Sequence, residues 1–252
     1  ASQAAITAAD TLTGGSTTET LTITADSSAA LVKEDLAGIT KFDNIIVANN
    51  AAISISTHNN NVAASVTVAL DSTALTSAKL TLDASEETDG AYNVTTAGSG
   101  DHSITLGSGD DTVTANSGVN NISLGAGSDT VIISSSHLTS ADTLNFGTGT
   151  DDALKISNTS NITDLAFTKI TGIDRIAQNT ASDNMILVIG TAAAAAGLTA
   201  ITGSTGTTSV TVASGYTGNL TVALGSGIDT INGTAQTSGS LTVTAAVGSI
   251  LS

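Results

Sequence analysis

The feature that most constrains this chain is a nine-residue phase running through its middle. Leu106-Gly107-Ser108-Gly109-Asp110-Asp111-Thr112-Val113-Thr114 is followed by Ala115-Asn116-Ser117-Gly118-Val119-Asn120-Asn121-Ile122-Ser123. Then comes Leu124-Gly125-Ala126-Gly127-Ser128-Asp129-Thr130-Val131-Ile132. Gly stands fourth in each unit, Asp or Asn sixth, and an aliphatic residue eighth. So short a period, with one inward apolar residue per strand, suits a chain that coils and buries each coil against the next.

Composition supports the coil. The 252 residues include no Pro, Cys or Trp, and aromatic residues make up 2%. A core of large rings is excluded. The apolar residues are Ala, Val, Ile and Leu interleaved with Thr and Ser, which suits half-buried strands. Apolar residues make up 40% of the chain, too many for disorder. The net charge of −16 disfavours nucleic acid and anionic membranes as partners. There is no apolar run long enough to insert in a membrane. The start, Ala1-Ser2-Gln3, has no basic and apolar leader pattern, so the chain reads as a fragment or as exported without an N-terminal signal.

Alternating segments recur along the chain at 20–24, 44–48, 52–56, 65–70, 79–83, 103–106, 121–124, 130–133, 143–146, 153–156, 175–177, 185–189, 209–213, 219–224 and 240–244. With Gly, Asn and Ser between them, they predict an all-β parallel solenoid. Residues 29–37 form a candidate short helix, with Ser28 as N-cap and Gly38 as stop. The alanine run 192–196 is expected to be strand or loop. Residues 1–37 are expected to hold N-terminal strands and that helix, and residues 38–252 the solenoid, with its repeats at 97–155 and 224–232.

The nine-residue units resemble the repeats-in-toxin nonapeptide G-G-x-G-x-D-x-U-x, which winds a calcium-binding parallel β-roll. The resemblance implies a right-handed β-helix or β-roll with two nonapeptides per turn, so residues 18 apart share an edge. Asp111 and Asp129 are 18 apart. Allowing a four-residue insertion at 133–136 places Asp151, in Phe146-Gly147-Thr148-Gly149-Thr150-Asp151, on that edge too. Calcium is hard and takes six to eight oxygens. The expected ligand turns therefore comprise Gly107, Gly109, Asp111, Gly125, Gly127, Asp129, Gly147, Gly149 and Asp151. Leu224-Gly225-Ser226-Gly227-Ile228-Asp229 adds Asp229, which has no evident partner turn 18 residues away. Leu106, Leu124, Phe146 and Leu224 replace the first glycine and are expected to pack inward. The opposite edge carries His102, Asn120 and Asp142, a poorer oxygen set; Asp101 stands one place early.

A weaker similarity links Gly38-Ile39-Thr40-Lys41-Phe42-Asp43-Asn44-Ile45-Ile46 to Ile170-Thr171-Gly172-Ile173-Asp174-Arg175-Ile176. It resembles a coil boundary of bacterial surface-layer proteins that carry these nonapeptides. The resemblance implies a secreted, calcium-dependent, self-assembling lattice at the cell surface, with surface polysaccharide as a further partner. The alternative is a stalk segment of a large secreted adhesin. No nucleophile–base pair, zinc spacing or phosphate loop is present, so an enzyme is not expected.

Overall fold

A computed structural model describes every residue except 16, 27–29, 159–160, 247–249 and 252. The protein is all-β, a parallel β-solenoid with little helix. It divides into two compact units, Ala1–Asp129 and Thr130–Ser252.

In the first unit, Thr20–Thr24, Asn44–Ala48, Thr67–Asp71, Ala91–Thr95 and Thr112–Ala115 belong to one sheet. Ile53–Ser56, Leu80–Asp83, Ser103–Thr105 and Asn121–Ser123 build a second. Every pairing is parallel, as a coil requires, because each strand meets its successor one turn later. In the second unit, Thr130–Ser134, Ala153–Ser157, Arg175–Gln178, Ala200–Thr202, Leu220–Ala223 and Leu241–Thr244 share one sheet. Met185–Ile189, Thr208–Val212 and Ile228–Asn232 are central to another.

Alternation fixes the faces. Thr20–Thr24 buries only Leu21 and Ile23, and Thr112–Ala115 buries Val113 and Ala115. Leu106, Leu124, Phe146 and Leu224 are all at most 5% exposed, the inward packing expected of them. The core of each unit is therefore mostly branched aliphatic side chains, up to three per strand, with Tyr92, Phe146, Phe167 and Tyr216 buried among them.

Two helical segments differ from expectation. The alanine run is helical at Thr191–Ala195, not strand or loop. Asp164, more than twenty residues earlier, accepts the amides of Gly190, Ala192 and Ala193 at 2.7, 3.0 and 2.9 Å. A cap supplied by another coil frees a good helix-forming sequence to wind. The first helix spans only Lys33–Leu36, and Val32 N–H donates to Asp35. The expected cap, Ser28, and Ala29 lie outside the described residues.

Leu124 is wholly buried in the close-packed interior of a coil. Leu124→Ala is expected to cost about 2–5 kcal/mol, read as a lowered denaturant midpoint.

Candidate metal centre

A parallel coil leaves one backbone problem at the entry of each strand. The amide there points toward the next coil, where the chain is still turning. Among the described residues, aspartates answer it at several entries. Asp43 accepts the amide of Glu19 at 2.8 Å, and Asp111 that of Tyr92 at 2.6 Å. Asp129 accepts from Asp111 at 2.8 Å, Asp174 from Asp152 at 2.9 Å, and Asp229 from Thr208 at 2.8 Å. Each carboxylate thus ties its own coil to the preceding one. Asp43 and Asp174 are the acidic residues of the two matching segments noted in the sequence, so that similarity marks a shared strand-entry position.

The expected pair is brought together. Ser103 pairs with Asn121 and Ser108 bridges Ala126, both 18 apart, so the phase holds here. Asp111 and Asp129 are 1% and 0% exposed and stack on one edge. The glycine turns stack beneath them. A Cβ built on Gly125 would lie 1.9 Å from the Gly107 carbonyl oxygen, and one on Gly127 would lie 2.0 Å from that of Gly109. The turns also exchange hydrogen bonds: Ala126 N–H donates to Gly107 O, and Gly109 N–H to Ala126 O, each at 2.9 Å.

Asp151 does not take the expected place. Thr130 pairs with Ala153, an offset of 23, so the coil carries five extra residues and not four. The residue entering the strand at Ala153 is therefore Asp152, which is 1% exposed. Asp151 projects outward and forms an ion pair with Arg175 at 2.5 Å. Gly147 has φ +81° in this turn. Asp229 does have a turn beneath it. Ser209 pairs with Thr230, 21 apart, and Gly227 stacks 2.3 Å from the Gly206 carbonyl by the same Cβ measure.

On the opposite edge, burial of His102 disfavours its protonated form, and its Nδ1 accepts the Leu80 amide at 3.1 Å. Asn120 donates to Asn116 O and Gly118 O within its own turn. Asp142 accepts from Thr139 N and Oγ1. Asp101 is exposed and accepts the Val119 amide at 2.7 Å. These groups are engaged with backbone and turn.

The acidic edge of the first unit suits a hard cation. Burial pushes the Asp111 carboxyl up to about 7, and the charges acting on it are all negative: Asp129, Glu87 and Asp110. Asp111 Oδ2 is buried without a hydrogen-bond partner among the described residues. A buried anion with a spare oxygen and only anions around it calls for a proton or a cation. No three His, Cys, Asp or Glu side chains form a chelating group among the described residues. An ion here would combine carboxylates from neighbouring coils with backbone carbonyls or water. Glu87, 2% exposed, belongs to this edge and was missed in the sequence because its turn, Glu86-Glu87-Thr88-Asp89-Gly90, has no G-x-G element.

Two outcomes follow from this geometry. Gly127 has φ +146° and no room for a side chain. Gly127→Ala is expected to cost about 3 kcal/mol or more by chemical denaturation. Gly218→Ala, where the nearest atoms lie at 3.5 Å, is the mild control.

The second outcome concerns pH. In chelator, Asp111 keeps its proton in the folded protein up to about 7 but loses it near 3.8 when unfolded. Between those values the folded state binds more protons, so stability falls as pH rises through the window. The slope is worth up to about 4 kcal/mol in all, at roughly 1.4 kcal/mol per pH unit. Asp111→Asn keeps an oxygen for the Tyr92 amide and should flatten it; equal slopes in wild type and variant would refute the assignment.

No protein-family model matches the chain, and no curated protein or solved structure matches it significantly.

Proposed function

We propose that this protein is a structural component of a bacterial surface layer, a calcium-dependent solenoid that self-assembles outside the cell. The observation that carries the reading is the pair of stacked glycine turns whose aspartates, Asp111 and Asp129, are buried on one edge among negative charges. Residues of this kind and spacing resemble the repeats-in-toxin turns, and the fold around them is the parallel solenoid that such turns wind. Calcium would be held by Asp111, Asp129 and the turn carbonyls of the first unit. Its role is charge cancellation: a chain at −16 repels both itself and its copies. Asp229 and its glycine turn are a further candidate position in the second unit. Surface polysaccharide is the partner that would anchor such a layer.

The test compares the purified protein in chelator, in millimolar calcium and in millimolar magnesium. Calcium is expected to raise the melting temperature. Each independent site adds about 2.7 kcal/mol when free ion is 100 times its dissociation constant, and each kcal/mol is worth roughly 2–4 °C at this size. Ordered sheets should appear by electron microscopy and disperse on chelation. Magnesium should substitute poorly, because it demands a smaller octahedral shell. Stabilisation without assembly would replace the layer with a stalk of a secreted adhesin. No response of either kind would remove calcium from the account.

A further inference from the structure

The recognisable repeats begin at Leu106, but the buried acidic edge begins one coil earlier. The turn beneath runs Ala84-Ser85-Glu86-Glu87-Thr88-Asp89-Gly90. Glu87 folds back into it: Oε1 accepts the amides of Gly90, Thr88 and Asp89 at 2.9, 3.1 and 3.2 Å. Its other oxygen, Oε2, is buried without a partner among the described residues. Asp111 reaches down from the next coil to the Tyr92 amide, two residues beyond Gly90. Two carboxylates from successive coils are therefore anchored at amides two residues apart, at the mouth of one strand. Each keeps one oxygen unengaged.

Tyr92 completes the arrangement. Its side chain is 1% exposed, and its hydroxyl has no hydrogen-bond partner among the described residues. Thr57 is its polar neighbour, and both Glu87 and Asp111 act on it electrostatically. Two buried carboxylate oxygens from successive coils thus stay unpaired near one strand mouth, and the charges acting on Asp111 are all negative. An unsatisfied buried polar group costs about 1–3 kcal/mol, and more when charged. One cation between the two carboxylates would relieve both, and its ligands would be the hard oxygens that calcium selects.

We propose that Glu87 and Asp111 form a second cation site, one coil before the recognisable repeats, with the Tyr92 hydroxyl beside the ion. The site shares Asp111 with the repeat turns and takes the identity of its ion from the calcium reading above; its location does not depend on the repeats.

Tyr92 supplies the test. The chain has two tyrosines and no tryptophan, and Tyr216 lies in the other unit with its hydroxyl bonded to Leu198 O. Terbium, a luminescent stand-in for calcium, should therefore be sensitised through Tyr92. Wild type, Glu87→Gln, Tyr92→Phe and Asp129→Asn are titrated with terbium, followed by emission under tyrosine excitation and by calorimetry. Gln retains Oε1 for the three amides, and circular dichroism checks the fold. Tyr92→Phe should lose most of the emission while still binding the ion. Glu87→Gln should lose one ion per chain, with its affinity falling by at least the roughly 10–100-fold that even an outer-shell partner carries. Calcium should displace the signal. Wild-type stoichiometry and emission in Glu87→Gln would overturn the site, as would absence of sensitised emission from wild type. Asp129→Asn separates the two readings. If it loses calcium-driven assembly but keeps the emission, the Glu87 site stands apart from the repeat turns. If it loses all binding while Glu87→Gln loses none, the repeat turns alone hold the ion and the second site falls.

Discussion

The bond from an aspartate carboxylate to the strand-entry amide of the preceding coil is the interaction on which this solenoid depends. Strands in a parallel stack satisfy one another only where they run side by side. At the corner that regularity stops, and an amide is left facing the turn above. A carboxylate is the strongest short acceptor a side chain can offer, and it reaches the amide without bending the strand. Asp43, Asp111, Asp129, Asp174 and Asp229 all do this at 2.6–2.9 Å. The bond belongs to the coil, not to any ion, because Asp43 and Asp174 form it outside the glycine turns.

The same device creates an electrostatic problem. Successive entry aspartates in one unit stack their charges. In the second unit Asp151 has a counter-charge in Arg175, 2.5 Å away, and Asp174 is only partly buried. On the edge formed by Glu87, Asp111 and Asp129 all three are at most 2% exposed, and the charges acting on Asp111 are negative. A proton can occupy it in acid and a cation near neutrality. On the proposed calcium reading, stability and ion occupancy would be coupled through the same oxygens, and calcium would reverse the sign of the pH dependence by requiring Asp111 to be ionised.

The alternating strands were legible because alternation is local geometry. Leu21 and Ile23 face inward for the same reason that Thr20, Thr22 and Thr24 do not. The stacking of Asp111 on Asp129 was legible because two adjacent coils there keep the 18-residue length. Elsewhere the coils are longer: Thr20 pairs with Asn44, Thr81 with Ser103 and Ser209 with Thr230. Each change of length shifts the residue that reaches the strand entry. That is why Asp152, not Asp151, is buried, and why the turn beneath Asp229 went unseen. The helix at Thr191–Ala195 escaped for a related reason: its cap, Asp164, comes from another coil.

Local pattern in the chain already specifies an all-β coil, the core-facing residues of most strands, and two stacked glycine turns with their aspartates together. Which acids share an edge beyond that stretch, that Glu87 joins it, and that Asp151 leaves it for Arg175 depend on how the coils stack. The physical reason is the range of the information. A strand's faces follow from a two-residue period carried in the strand itself. A side chain's neighbours along the stack follow from the number of residues the chain spends in every turn between them, and the backbone reveals that number only when the coils pair.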